Sequence, residues 1–327
     1  MTASRTPRPS RGPALGRRSF AALAGTGLVA AGAAACSNED PLAKESGSGS
    51  GGSSDGGGPA TGALVIGSQQ YYSNEIIAEL FAQVLEDSGA SVERQYQIGQ
   101  RDVYMPELES GAIDLLPEYL GNLLQYLDEA AATGTADDLA TALGEALPDG
   151  LRVLPHAEAT DQDSYTTTKD FASQNQLAAI GDLAGVEDLK IAANPEFEER
   201  PYGPKGAKSV YDADISVVPV SDSGGPLTLQ ALLDGTTQLA DIYTADPSIA
   251  ENDLVTLEDP ETMILPQNVA PLVSERIDED AAAAIKTVTD VLTTEELIAL
   301  NTKSVTDKQD SATIAKAWLT EKGLLGS

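Results

Sequence analysis

From Ala63 onward the chain alternates between short apolar runs bounded by Gly or Pro and longer stretches in which apolar residues recur three or four positions apart. The first pattern predicts strands and the second predicts helices. Ala63–Gly67 reads as a strand closed by its Gly. Ile76, Ile77, Leu80, Phe81, Val84 and Leu85 share one face of a helix over Glu75–Ser88, which Gly89 stops. Strands follow at Val92–Gln97, at Ile113–Leu116 (ended by Pro117) and at Leu151–Leu154. Between them lie helices at Met105–Ser110, Leu120–Ala131 and Ala136–Ala146.

Beyond the polar stretch Glu158–Ser164 the same alternation resumes. Strands are expected at Tyr165–Thr168, Leu189–Ala192, Ser216–Val220, Leu239–Tyr243, Leu254–Leu257 and Ala270–Ser274. Helices are expected at Asp170–Gln176, Ala207–Tyr211 and Leu227–Leu233. The chain ends in helices at Asp278–Leu292, Thr294–Asn301 and Asp310–Lys322, with Thr293 and Glu296 spaced as a capping box. Such alternation implies an α/β protein with open sheets covered by helices on both faces. Ligands of such sheets bind in a crevice at the carboxyl ends of the strands.

Residues 1–35 follow a different logic. Basic residues lead to Arg17-Arg18-Ser19-Phe20, then to the apolar stretch Ala21–Ala35. At about 15 residues that stretch is short of the ~20 a spanning helix needs, and it reads as an export signal of twin-arginine type. It ends at Cys36, the chain's only Cys. Ala33-Ala34-Ala35-Cys36 resembles a lipobox, with Ala33 where Leu, Val or Ile is usual. Cys36 is therefore expected to be cleaved free and lipidated; the bland reading is a secreted protein with a spare thiol. Ser46–Gly58 is almost all Gly and Ser, the composition of a tether. No later segment is long and apolar enough to span a membrane, so the folded part is expected outside the cytoplasmic membrane.

Composition narrows the chemistry. The 51 acidic residues face 20 basic ones, and five of the latter (Arg5, Arg8, Arg11, Arg17, Arg18) belong to the export signal. A chain so acidic lacks the cationic clusters that neutralise nucleic-acid phosphates or bind an anionic membrane. A single Cys and a single His argue against a disulfide framework and most metal sites. Tyr supplies 10 of the 15 aromatic residues.

Several segments, in order and spacing, resemble a known family. They are Ile66-Gly67-Ser68 ahead of a helix, the run Ser110-Gly111-Ala112-Ile113-Asp114-Leu115-Leu116-Pro117-Glu118-Tyr119-Leu120-Gly121, Ile180-Gly181-Asp182-Leu183, Pro195-Glu196-Phe197 through Arg200-Pro201, and Ala240-Asp241-Ile242-Tyr243-Thr244-Ala245-Asp246-Pro247. The likeness, from about Ala63 to Leu324, is to the substrate-binding lipoproteins of ABC importers for quaternary-amine osmoprotectants (glycine betaine, choline, carnitine, proline). It implies a two-lobe periplasmic-binding-protein fold, type II like, with a two-strand hinge. Lobe 1 would take residues 62–162 and 267–327, and lobe 2 residues 163–266, after a signal (1–35) and a lipidated linker (36–61). It also implies a small quaternary-amine ligand, an ABC permease with its ATPase subunits as partner, a lipid anchor as the sole membrane attachment, a monomer, and no cofactor, metal, nucleic acid or catalysis.

A trimethylammonium group carries charge but no N–H, so aromatic faces hold it better than hydrogen bonds do. By resemblance, Tyr119, Tyr165 and Tyr243 match cage positions, Asp163 matches one whose backbone carbonyl faces the ammonium, and Arg200 matches the carboxylate-binding Arg. Gln69 stands where some relatives have a carboxylate-binding Lys, Asn122 where they have Thr, and Gln267 near a fourth aromatic position. These departures leave room for choline or a larger betaine. Tyr71, Tyr72 and Tyr104 are nearby candidates for another wall, and Glu118 reads as an acceptor of structural hydrogen bonds.

Other readings compete. The same scaffold could hold an amino acid or a polyamine. Asp222-Ser223-Gly224-Gly225-Pro226 resembles a serine-protease nucleophile loop, with His156 the sole candidate base. Against that, its flanks lack the expected motif and the α/β alternation does not fit. The Gly-rich loop reads better as a strand-to-helix connection. Asp161 and Asp163 suggest Ca²⁺, but the Gly and Glu of a calcium loop are missing.

Overall fold

The computed structural model describes residues 62–326 except 130 and 132; the export signal, Cys36 and the Gly/Ser tether lie outside the described residues. The strands are β1 (Leu64–Gly67), β2 (Val92–Gln95), β3 (Leu115–Tyr119), β4 (Leu151–Val153), β5 (Thr166–Thr168), β6 (Leu189–Ala193), β7 (Ile215–Pro219), β8 (Leu239–Ala240), β9 (Leu254–Thr256) and β10 (Val269–Ser274). The helices are α1 (Tyr72–Asp87), α2 (Arg101–Glu109), α3 (Leu120–Leu127), α4 (Ala136–Ala146), α5 (Lys169–Asn175), α6 (Pro204–Tyr211), α7 (Pro226–Leu233), α8 (Ser248–Glu251), α9 (Glu279–Thr289), α10 (Thr294–Val305) and α11 (Ser311–Lys322).

They build two sheets of the same plan. The first has the order β2-β1-β3-β10-β4 and the second β7-β6-β8-β5-β9. In each, one strand comes from the far side of the chain and runs antiparallel: β10 against β3 and β4, β5 against β8 and β9. The rest of each central ladder is parallel. The chain thus crosses between sheets twice, after β4 and after β9. The crossing segments pair with one another: Thr160 bridges Asn268, Ala157 N–H donates to the Val269 carbonyl at 2.8 Å, and Asp161 N–H donates to the Gln267 carbonyl at 3.3 Å.

Both faces of the first sheet are covered. On one, Ile77, Leu80, Phe81 and Leu85 of α1 pack with Ile285, Leu300, Ile314 and Trp318 of α9–α11. On the other, Tyr104, Met105 and Leu108 of α2 pack with Leu123, Leu139 and Leu143. The second sheet buries Tyr165, Ile191, Phe197, Tyr202 and Leu239 on one side and Ala192, Leu232 and Ile242 on the other. Ala245, which follows β8, sits in the core of the first sheet rather than the second.

Several expectations need correction: α2 starts at Arg101 rather than Met105, and α10 runs to Val305 rather than Asn301. β3 does not end before Pro117 but continues through it to Tyr119. Pro117 is tolerated because it faces Pro271 of β10, and its carbonyl accepts the Asn74 side-chain N–H at 2.9 Å. β8 spans two residues rather than five, because Asp241 to Thr244 turn toward the crossing segment, where Thr244 N–H donates to the Gln162 carbonyl. α3 ends at Leu127, short of Ala131. Half of the expected capping box on α10 forms: the Thr293 hydroxyl accepts the Glu296 N–H at 3.3 Å, while the Glu296 carboxylate accepts from Trp318 and Lys322 instead of the Thr293 N–H.

Candidate functional site

A cavity of about 480 Å³ of atom-free space opens where strand ends from both sheets meet. Gln69 follows β1, Tyr119 ends β3, Asn194 follows β6 and Asp241 follows β8, and all four line it. This is the crevice that parallel strands create at their carboxyl ends, where open α/β sheets bind ligands.

Its walls are aromatic. The Tyr71 and Tyr243 rings meet edge to face, with centroids 5.3 Å apart at 71°. Phe197 and Tyr202 form a second edge-to-face pair at 5.8 Å and 69°. Tyr119 lies beside the first pair, and the Asn74 side-chain N–H reaches its hydroxyl at 3.5 Å. Burial raises the phenols of these four tyrosines above their usual range, so the rings stay neutral and keep their π-faces.

The charged groups fall into two sets. Arg101, at the start of α2, donates from Nε and a terminal nitrogen to both oxygens of Glu118, each at 2.8 Å. Glu118 is fully buried and also accepts the Tyr104 hydroxyl at 2.5 Å and the Tyr119 N–H at 3.0 Å. The Arg101 charge is therefore spent inside the protein. Arg200 also lines the cavity; its backbone bonds Phe197 and Gly203, but its guanidinium has no hydrogen bond or ion pair with any described residue. One neutral donor is in the same position: Gln69, buried at 6% exposure, has no partner for its Nε2. Two lining residues thus carry unengaged donors, the Arg200 guanidinium and the buried Gln69 amide.

Carboxyls complete the lining. Asp161 accepts the Ser73 hydroxyl at 2.9 Å and the Ala245 N–H at 3.1 Å. Burial, opposed by these two bonds, pushes it up to about 7. Asp163 accepts at one oxygen both the Asn122 side-chain N–H (2.8 Å) and the Tyr202 hydroxyl (2.9 Å). Asp241 accepts the Ser164 N–H at 3.0 Å, and burial, then the neighbouring Asp163, hold it well above the usual carboxylate range. Glu196 faces the same space.

Six of the eight expected ligand residues line the cavity: Gln69, Tyr119, Asn122, Asp163, Arg200 and Tyr243. Tyr165 and Gln267 stand one layer behind. The Tyr165 ring packs on Phe197 at 5.9 Å in the core of the second sheet, and its hydroxyl donates to the Tyr202 carbonyl at 2.7 Å. Tyr202 provides the wall instead. Gln267, fully buried, accepts the Asn122 N–H at 2.9 Å and donates to the Asn122 side-chain oxygen at 3.0 Å. That fixes the Asn122 amide with its N–H toward Asp163. The neighbouring residue must be Gly121, since a Cβ there would sit 2.6 Å from the Gln267 amide nitrogen and 2.9 Å from the Pro266 carbonyl.

Of the tyrosines expected nearby, Tyr71 lines the cavity, Tyr72 donates to Asp246 at 2.6 Å and Tyr104 is spent on Glu118. Tyr202, Arg101, Asp161 and Asp241 were not singled out as ligand residues. An acid flanked by apolar residues, as Asp241 is by Ala240 and Ile242, was the available signal. The protease-like string is dispersed. Ser223 Oγ meets the side-chain amides of Gln70 (3.3 Å) and Asn194 (3.4 Å), while the His156 ring meets Asp137 and the Ala157 carbonyl.

Comparisons with known proteins agree with this architecture. Residues 62–321 match the family described as the substrate binding domain of ABC-type glycine betaine transport systems. The chain is 24% identical over 280 residues to the glycine betaine-binding protein YehZ of Escherichia coli strain K12, covering 81% of this chain and 92% of that one. A solved glycine betaine/carnitine/choline ABC transporter structure superposes with a TM-score of 0.67 at 19% identity, over 80% of this chain and all of that one. Lactococcal OpuAC, closed on glycine betaine, superposes with a TM-score of 0.57 at 14% identity, over 80% of this chain and 100% of that one. With the match running through both sheets, the chain belongs to the family of substrate-binding domains of ABC-type glycine betaine transport systems.

Proposed function

We propose that the protein captures a quaternary-amine osmoprotectant between its two lobes and delivers it to an ABC permease, with no catalysis of its own. The family is one of transport binding domains, not of enzymes. The observation that carries this reading is the pairing of aromatic walls with two unengaged donors, Arg200 and Gln69, in one cavity. The rings suit an N-methylated cation and the donors suit a carboxylate or hydroxyl at the ligand's other end. Tyr243→Ala should weaken binding of choline or glycine betaine about tenfold, near 1.4 kcal/mol, within what one desolvated ring supplies. Tyr243→Phe should keep most of the affinity. Equal affinity of the Ala variant and the parent, by calorimetric titration, would remove Tyr243 from the cage.

A second reading has one observation in its favour. Asp161, Asp163 and Asp241 offer carboxyl oxygens that N–H cations use better than quaternary ones do. An amino acid or polyamine that bound more tightly than its N-methylated counterpart would establish it.

The tether and Cys36 supply the rest of the proposal: a monomer held at the outer face of the cytoplasmic membrane by lipid on Cys36 alone. No helix among the described residues is long and apolar enough to cross a membrane. Cys36→Ser should move the protein from the membrane fraction to the soluble one. Unchanged membrane association of that variant would rule out the lipid anchor.

A further inference from the structure

The Asp163 side chain, just before β5, is held from both sheets at a single oxygen. From the first-sheet side the Asn122 amide of α3 donates to it at 2.8 Å. From the second-sheet side the Tyr202 hydroxyl donates to it at 2.9 Å. Both donors are themselves fixed. Gln267, just before β10, grips Asn122 through two bonds and also donates to the Leu265 carbonyl at 2.9 Å. Tyr202, 2% exposed, packs edge to face on Phe197, and its carbonyl accepts the Tyr165 hydroxyl. A chain of hydrogen bonds, Gln267 to Asn122 to Asp163 to Tyr202, thus runs unbroken from the first sheet to the second. It ends on a ring that lines the cavity. Another contact between the sheets, from the Gln70 amide to Ser223 Oγ at 3.3 Å, touches no cavity ring.

We propose that Asp163 is a positioning residue: through Asn122 it ties the two lobes together, and through the same oxygen it sets the Tyr202 wall. Preference for an N-methylated ligand then depends on the lobes meeting. This deepens the reading of the cavity as a site for a quaternary amine and rests on it. A buried phenol without an acceptor is left unsatisfied, so the Tyr202 ring stays where Asp163 holds it. A ring face must lie within about 6 Å of the cation to hold it. Breaking the tie lowers the fraction of protein in the competent arrangement, which weakens every ligand alike. Losing the wall weakens the methylated ligand further. An amide oxygen can accept two donors as a carboxyl oxygen does, so Asp163→Asn keeps the tie and Asp163→Ala breaks it. A residue acting as counter-charge to the cation would fail equally in both variants.

The test is calorimetric titration of the full chain with choline and ethanolamine. Asp163→Ala should weaken choline about tenfold and ethanolamine about twofold, so their ratio falls about fivefold. Asp163→Asn should bind choline within about threefold of the parent. Tyr202→Phe, which keeps the ring and drops the hydroxyl, should weaken choline about fivefold, and adding it to Asp163→Ala should cost little more. Ser223→Ala, which removes the contact with Gln70, should leave the choline-to-ethanolamine ratio unchanged. Equal losses in Asp163→Asn and Asp163→Ala would overturn the proposal, as would losses that multiply when Asp163→Ala and Tyr202→Phe are combined. Carboxyl-carbon NMR probes the tie with Asp163 intact and no ligand added. Its resonance should shift in both Tyr202→Phe and Asn122→Ala, since each removes a donor from the same oxygen. A resonance indifferent to either substitution would overturn the tie. Failure of every trimethylammonium compound to bind would instead sink the ligand reading and leave the NMR result to decide the tie.

Discussion

An Arg200→Ala variant should bind glycine betaine about 100-fold more weakly than the parent, bind choline within about threefold of it, and unfold at the same temperature. The size follows from a bidentate, charge-assisted grip on a carboxylate inside a cavity, near 2.7 kcal/mol at 1.4 kcal/mol per tenfold. Selectivity follows from choline's lack of a carboxylate. Stability is spared because the Arg200 guanidinium has no hydrogen bond or ion pair with any described residue, and its backbone bonds survive in Ala, so the truncation orphans nothing. Titration with both ligands and a melting curve check all three statements. Equal losses for both ligands would mean that Arg200 shapes the cavity rather than holding a carboxylate.

Arg101 should behave in the opposite way, although it lines the same cavity. Arg101→Met should destabilise the protein by about 3–5 kcal/mol, the cost of leaving one member of a buried ion pair alone. Glu118, fully buried, would keep only the Tyr104 hydroxyl and the Tyr119 N–H. Because Glu118 accepts the backbone N–H of Tyr119, ligand affinity should fall as well, through displacement of that ring. Adding Glu118→Gln to Arg101→Met should recover most of the lost stability, since no bare charge then remains. Denaturant unfolding of the two variants measures this. A single variant within about 1 kcal/mol of the parent would show that the pair contributes little.

These two arginines mark the limit of what the sequence discloses. The place of Arg200 at the cavity was legible because it belongs to a string, Pro195 through Pro201, that resembles a family motif. Arg101 was not, because its role depends on Glu118 in another element, and nothing in local pattern brings them together. Strand and helix positions were legible wherever burial imposes a period, as along α1. The end of β3 was misread because Pro117 is ordinarily a strand breaker, and the facing Pro271 that makes it tolerable is far away in the chain. The place of Tyr165 behind the cavity wall was not legible for a related reason. It immediately precedes β5, where one step of alternation decides between cavity and core, and its ring goes to the core beside Phe197. Tyr202, two residues beyond Arg200, takes the wall position. Gln267 was found as a position but not as a role: it holds Asn122 instead of facing the cavity.

The central claim is that the cavity recognises an N-methylated cation through its rings. It is tested most directly by titrating the purified, folded protein with choline and glycine betaine, and with their unmethylated counterparts ethanolamine and glycine. The account predicts saturable binding of at least one trimethylammonium compound, at least about tenfold tighter than its unmethylated partner, as the loss of ring contacts requires. Binding of ethanolamine or glycine as tightly as the methylated form would contradict it.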